Sequence, residues 1–256
     1  MKNRVVRLAL FTAMCLTPVV ARAQTSLASA HPGVLGQGMF RTIASGSQLY
    51  LRYTLTANRS YYAVCWSQFG TDQVGDCNVE WRNAVDVSVG VSTEVEPFNT
   101  VFSVVAGDAE SLLPTTSASF YVRVSNVSPA DTTINIMVVE NTLFTPWWFV
   151  SPSAGYDSYV EMRNNTEQTI TATVRVYDLS GALIGTAPRT IAANGTALVQ
   201  VSALVPGAAS GSASITFMGP PGSIAANVTT LGGGTGLSFG ALFTPRANLG
   251  TFGSLQ

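Results

Sequence analysis

Apolar and polar residues alternate along most of this chain. Leu49, Leu51, Tyr53 and Leu55 are interleaved with Tyr50, Arg52, Thr54 and Thr56. A period of two turns one stripe toward a core and the other toward water, and so predicts a strand. Ser60–Gln68 predicts the next strand, with Tyr62, Val64 and Trp66 on one side and Tyr61, Ala63 and Cys65 on the other. Val79 and Trp81 begin a return strand, and Val85, Val87, Val89 and Val91 alternate with Asp86, Ser88 and Gly90. Phe120, Val122 and Val124 make another strand, as do Ile134, Ile136 and Val138. Turn formers separate these runs, as at Ala57-Asn58-Arg59 and Pro129-Ala130-Asp131. No stretch combines a 3.6-residue period with helix caps.

After Pro146 the pattern restarts. Val160 and Met162 alternate with Tyr159, Glu161 and Arg163, and Asn164-Asn165-Thr166 is a turn. Ile170, Ala172, Val174 and Val176 mark a strand, and Asp178-Leu179-Ser180-Gly181 turns the chain back. Ala193-Asn194-Gly195-Thr196 is the strongest hairpin signal, because Asn-Gly suits a type I′ turn. Strands are expected at Ala213–Phe217, at Ile224–Leu231 and up to Phe243. Short strands at such spacing predict an all-β chain of two antiparallel β-sandwich domains in tandem, jelly-roll or Ig-like. The expected boundaries are 36–145 and 146–246, with a tail at 247–256. The segment Leu143-Phe144-Thr145-Pro146 returns as Leu242-Phe243-Thr244-Pro245. Each copy is expected to close a domain as an edge strand, where proline is tolerated.

The N-terminus reads differently. Lys2, Arg4 and Arg7 precede the apolar run Leu8–Leu16, and Ala21-Arg22-Ala23 forms a small-x-small cleavage site. Residues 1–23 are therefore expected to be a secretory signal peptide. Cys15 would leave with it, and Met14 before that cysteine disfavours a lipoprotein. Residues 24–35, which include the sole histidine, His31, are expected to form a flexible lead-in. The chain is thus expected to be exported to the extracellular space, the cell surface or the periplasm.

Charge then narrows the function. Only 11% of residues are charged, against about 25% in an ordinary soluble domain. Beyond the leader, nine arginines, no lysine and fourteen acids leave a net charge of −5. Scattered arginines without a basic patch argue against nucleic acid as a partner. Beyond the leader no apolar run is long enough for a transmembrane helix. Cys65 and Cys77 form an even pair in an exported chain and are expected to be disulfide-bonded.

Candidate chemistry is sparse. A histidine in a mobile lead-in cannot hold a general base in register, and no lysine remains to activate a serine. Carboxylates are the remaining route to hydrolysis, with Glu161, Glu80, Asp86 and Glu140 on or near strands. Glu161 beside Arg163 reads instead as a surface pair. Asp72, Asp76, Asn78 and Glu80 place oxygens at alternate positions that suit calcium, although a solvated loop is the weightier reading and no cofactor is required. Trp147, Trp148, Tyr61 and Tyr62 are candidate ligand contacts, since exposed aromatic faces stack on sugars or anchor protein contacts. In a strand Trp147 and Trp148 must face opposite ways, one inward and one outward.

Gly46-Ser47-Gln48-Leu49-Tyr50-Leu51-Arg52-Tyr53, followed by Leu55-Thr56-Ala57-Asn58-Arg59-Ser60-Tyr61, resembles the bacterial pre-peptidase C-terminal type domain. The resemblance covers about a third of the chain, with Asn58 in the place of a glycine. It implies a small jelly-roll domain appended to secreted proteins and carries over no catalytic residue. The second half is similar to sandwich repeats of secreted bacterial proteins, in which an asparagine-x-threonine turn precedes a hairpin. The chain is therefore expected to be a non-enzymatic adhesion, ligand-binding or scaffolding module that meets a protein or glycan surface. The alternatives are a subunit that assembles through edge strands and a carboxylate-dependent glycoside hydrolase.

Overall fold

The computed structural model describes residues 26–67, 77–92, 98–100, 103–105, 107–205 and 207–246. The expected signal peptide and the C-terminal tail lie outside the described residues. The fold is all-β, two sandwiches in tandem. The first contains β1 (His31–Pro32), β2 (Met39–Ile43), β3 (Gln48–Leu55), β4 (Tyr61–Ser67), β5 (Cys77–Arg82) and β6 (Val91–Ser92). A small hairpin of β7 (Phe98–Thr100) and β8 (Ser103–Val105) follows, then β9 (Gly107–Leu112), β10 (Ala118–Asn126) and β11 (Thr132–Glu140). The sheet β1-β3-β10-β5 faces the sheet β2-β11-β4-β9-β6. Leu49, Leu51, Tyr53, Leu55, Val122, Val124, Ile134, Ile136 and Val138 fill the space between them, on the stripes that the alternation marks.

The second sandwich contains β12 (Leu143–Val150), β13 (Tyr156–Asn164), β14 (Ile170–Asp178), β15 (Leu183–Ile191) and β16 (Thr196–Gln200). It is completed by β17 (Ala209–Phe217), β18 (Ile224–Gly232), β19 (Leu237–Leu242) and β20 (Thr244–Pro245). Its sheets run β15-β14-β17-β12-β20 and β16-β13-β18-β19. A separate core holds Trp148, Val150, Val160, Met162, Val174, Ile215 and Phe217. Between the sandwiches the chain passes through Asn141 and Thr142, both buried. Thr142 Oγ1 accepts from Ser60 N (2.8 Å), and Asn141 Nδ2 donates to Gly219 O (2.7 Å). Gly219 N in turn donates to Ser111 Oγ of the first sandwich (2.9 Å). Buried N–H donors at the join are thus satisfied across it, whereas Asn141 Oδ1 is buried with no hydrogen-bond partner among the described residues.

Several local expectations give way to tertiary structure. The lead-in forms a 3-10 turn at Leu27–Ser29, and β1 pairs in parallel with β3, His31 opposite Leu51. The free edge of β3 offers backbone partners that outweigh the lack of sequence periodicity. Val85–Val91 is not one strand. Asn83 Oδ1 accepts from both Val85 N and Val87 N, and Asp86 takes a left-handed φ of 60°, so an Asx turn replaces extended backbone. The Asn194-Gly195 turn has Asn194 at φ 56° and Gly195 N donating to Ala192 O (2.9 Å), but β15 and β16 belong to opposite sheets. It is a crossing between layers, not a hairpin. The two Leu-Phe-Thr-Pro copies do not close separate sandwiches. They pair with each other, Leu143 opposite Pro245 and Phe144 opposite Thr244, and all of β12 lies in the second sandwich.

An asparagine at a strand end recurs in both sandwiches. Asn126 Nδ2 donates to Ile43 O (2.7 Å) and Ala130 O (2.9 Å), and its Oδ1 accepts from Ser128 N (2.9 Å). Asn164 Nδ2 reaches Gln168 O, Ile191 O and Ala192 O, and its Oδ1 accepts from Thr166 N. The Cys65–Cys77 disulfide is formed, with Cα atoms 6.4 Å apart, and both residues are buried. It ties β4 of one sheet to β5 of the other. Replacing both cysteines by serine is expected to lower unfolding free energy by about 3 kcal/mol, read from urea denaturation of the oxidised wild type against the double variant.

Candidate functional site

Strand β12 pairs with β17 through Thr145–Ala213 and then Trp148–Gly211. Pro146 and Trp147 together face Ser212, so β12 carries one extra residue, a β-bulge. Proline suits that position because a bulged residue has no ladder bond to donate. The extra residue resets the alternation. Leu143 and Thr145 point inward before the bulge, and Trp148 and Val150 point inward after it. Trp148 is fully buried, and its Nε1 donates to Ser212 O opposite the bulge (2.9 Å). Trp147 is left 37% exposed.

Trp147 does not stand alone. Its ring is nearly parallel to that of Phe149 (centroids 6.5 Å apart, 10° between planes) and edge-on to Phe239 (6.4 Å, 82°). Phe149 also meets Tyr156 at 5.8 Å. These residues come from β12, β13 and the edge strand β19, so the two sheets of the second sandwich converge on one aromatic ledge. Phe239 overhangs it, 50% exposed. Ser158 anchors the ledge from below. Its Oγ donates to Phe149 O (2.7 Å) and accepts from Phe149 N (3.0 Å). Tyr156 lies over Gly232, where a Cβ would come within 2.5 Å of the tyrosine ring. Aromatic rings fixed in this way present an apolar face at little entropic cost.

Of the aromatic residues singled out from sequence, Trp147 reaches the surface. Trp148, Tyr61 and Tyr62 do not and cannot contact a ligand: Tyr61 belongs to the first core, and Tyr62 packs with Val64 and Ala109 on the outer side of the same sheet. Phe149, Tyr156 and Phe239 carry no local sequence signal that marks them as surface contacts. Each lies in a segment legible as a strand, but only the meeting of the sheets joins them.

The calcium candidates are divided. Asp72 and Asp76 lie outside the described residues. Asn78 and Glu80 are on β5, where Glu80 is engaged by Arg82 and Arg123. Those two guanidiniums outweigh partial burial and hold the Glu80 carboxyl below its usual range. Glu140 pairs with Arg59 at 3.2 Å, and Asp86 lies 3.8 Å from Arg82. Glu161 is exposed on the outer face of β13, between Leu198 and Asn227. Among the described residues it forms no ion pair with Arg163.

The acids that sequence reading passed over are on β9. Asp108 accepts from Val79 N (2.8 Å), and Glu110, which is buried, accepts from Trp81 N (2.7 Å). Trp81 Nε1 completes the exchange by donating to Glu110 O (3.1 Å). These carboxylates satisfy the free edge of β5 from the opposing sheet. Burial raises both carboxyls above their usual values, more than the backbone donors lower them.

No protein-family model matches the chain, and no curated protein matches it as a relative. Among solved structures, Bacteroides uniformis β-glucuronidase aligns over 82% of this chain and 32% of that chain, with 13% identity and a TM-score of 0.19. A calcium-binding mutant of Bacteroides uniformis β-glucuronidase 2 aligns over 82% and 33%, with the same identity and TM-score. The chain spans about a third of those proteins' length, and a TM-score of 0.19 carries no argument about structure or activity.

The buried acids generate a pH prediction. A carboxyl whose pKa is raised on folding binds its proton more tightly in the folded state, so its contribution falls as pH rises through the window above the ordinary carboxylate range. Glu110→Gln retains an acceptor for Trp81 N and removes the ionisation. Between about pH 4 and pH 7, the variant is expected to lose less stability with rising pH than the wild type. Urea denaturation across that range measures it, and a steeper loss in the variant would contradict the assignment.

Proposed function

We propose that this chain is an exported, non-enzymatic adhesion or ligand-binding module acting at an extracellular or cell surface, and that its aromatic ledge meets a glycan. The observation that carries this reading is the exposed indole of Trp147, held between Phe149 and Phe239 on a rigid strand. Pyranose rings present faces of C–H groups that pack against such a surface, while the hydroxyls of Tyr156 and Thr235 beside it, 3.4 Å apart, offer hydrogen bonds at the rim. The Cys65–Cys77 disulfide supports an oxidising compartment. Trp147→Ala is expected to weaken binding to a responsive glycan on a surface panel by about tenfold, with the circular dichroism spectrum unchanged because the indole lies outside the core. Undiminished binding by the variant would remove the ledge from the reading.

A second reading has its own observation. Strand β19 is the free edge of its sheet, exposes Leu237, Phe239 and Leu242, and carries neither charge nor proline. Native edges are usually blunted by such residues, so β19 suits pairing with a second copy. Light scattering coupled to size exclusion is expected to show concentration-dependent dimers that Leu242→Lys abolishes. A strict monomer at every concentration would rule this out.

A further inference from the structure

The turn Thr56–Arg59 of the first sandwich faces the outer side of the sheet β15-β14-β17-β12-β20 across a cleft of about 690 Å³. Three arginines line it, Arg59, Arg175 and Arg246, and no aspartate or glutamate is among its lining residues. That is a third of the arginines beyond the expected leader, gathered in a chain whose net charge there is negative. The concentration needs a physical account, because like charges brought together repel.

Part of the positive charge is already compensated. Arg59 pairs with Glu140 at 3.2 Å. Phe144, from the first Leu-Phe-Thr-Pro copy, takes Arg246 at 4.7 Å and Arg59 at 5.7 Å from its ring centroid. A ring face attracts cations without neutralising them. Arg175 Nη1 donates to Thr216 Oγ1 (2.6 Å), and Nη2 is 3.5 Å from Asn58 Oδ1 of the other sandwich. Both partners are neutral. Among the described residues neither Arg175 nor Arg246 has a carboxylate partner.

The backbone fixes this arrangement. Asn58 holds a left-handed φ of 58°, and its N–H donates to Pro114 O (2.8 Å), so the turn that aims Asn58 and Arg59 across the cleft is anchored. Arg175 stands on β14, between β15 and β17, and Phe144 opposite Thr244 brings Arg246 alongside. Hydroxyls of Ser214 and Thr244 also line the cleft. Guanidiniums present paired donors that match the oxygens of a carboxylate or a phosphate.

We propose that this cleft binds an oxyanion, the carboxylate or phosphate of a small organic ligand, between Arg175 and Arg246, with Arg59 contributing from the facing sandwich. The bound group supplies the negative charge that the protein does not. Because its donors come from both sandwiches, the ligand also holds them together. This site is separate from the aromatic ledge, and either can fail without the other.

The test is calorimetric titration of the full chain at low ionic strength with inorganic phosphate, with acetate, and with glycerol as the neutral control, none of which offers a pyranose face to the ledge. Saturable binding of at least one anion and none of glycerol is expected, and the tighter anion identifies the oxyanion. Arg175→Gln and Arg246→Gln are each expected to weaken it by about tenfold. Arg163→Gln, which does not line the cleft, should leave affinity unchanged. Arg246 stands at the exposed end of β20, so its variant remains informative if Arg175→Gln unfolds. Absence of saturable binding by both anions at millimolar concentration would overturn the proposal, as would equal loss in Arg163→Gln or wild-type affinity in Arg246→Gln.

Discussion

The bulge at Pro146 and Trp147 is the constraint on which the surface of the second sandwich depends. A strand without it would keep strict alternation from Leu143, placing Trp147 inside and Trp148 outside. One extra residue opposite Ser212 reverses the two. The reversal is held on both sides. Trp148 donates to Ser212 O, and its neighbour across the ladder, Gly211, lies so close to β14 that a Cβ would fall 1.9 Å from Tyr177 O. A larger residue at 211 would push β17 away from β14, on the side opposite the bulge. Phe144 before the bulge faces the arginine cleft, and Trp147 and Phe149 after it face the sandwich mouth. A single strand therefore presents two chemically different surfaces.

A chain so poor in charge uses its ionisable groups where backbone would otherwise go unsatisfied. Asp108 and Glu110 receive N–H groups from the free edge of β5. Glu80 gathers Arg82 from its own strand and Arg123 from the neighbouring β10. Asn126 and Asn164 perform the equivalent task at strand ends with neutral side chains. An unmade hydrogen bond at a buried edge costs about 1–3 kcal/mol, so a few such residues weigh heavily beside apolar burial. The disulfide acts on the same edge, since Cys77 opens β5 and Cys65 belongs to the facing sheet.

The places where sequence reading and structure part have a common cause. Four alternating valines at 85–91 mimic a strand, yet the Asn83 side chain captures two backbone amides and bends the segment outward. Strand β9 lacks the periodic signal because two acids, Asp108 and Glu110, occupy inward positions where that signal requires apolar residues. Asn194 does turn the chain, but a turn does not specify whether the next strand pairs with the last or crosses to the other layer. Asn58 shows the opposite case. It stands where a glycine would be expected and adopts a left-handed φ, which asparagine tolerates better than most residues.

The sequence by itself determined the all-β class, the inward stripes of most strands, the cysteine pair and the outward turn of one of two adjacent tryptophans. These follow from local periodicity and residue chemistry, which act over a few positions. Tertiary structure alone decided which tryptophan emerges, that the two Leu-Phe-Thr-Pro copies pair with each other, and that Arg59, Arg175 and Arg246 share one cleft. Those outcomes depend on register and on the meeting of strands from opposite ends of the chain. A period of two indicates which face a residue occupies, but not what lies across from it.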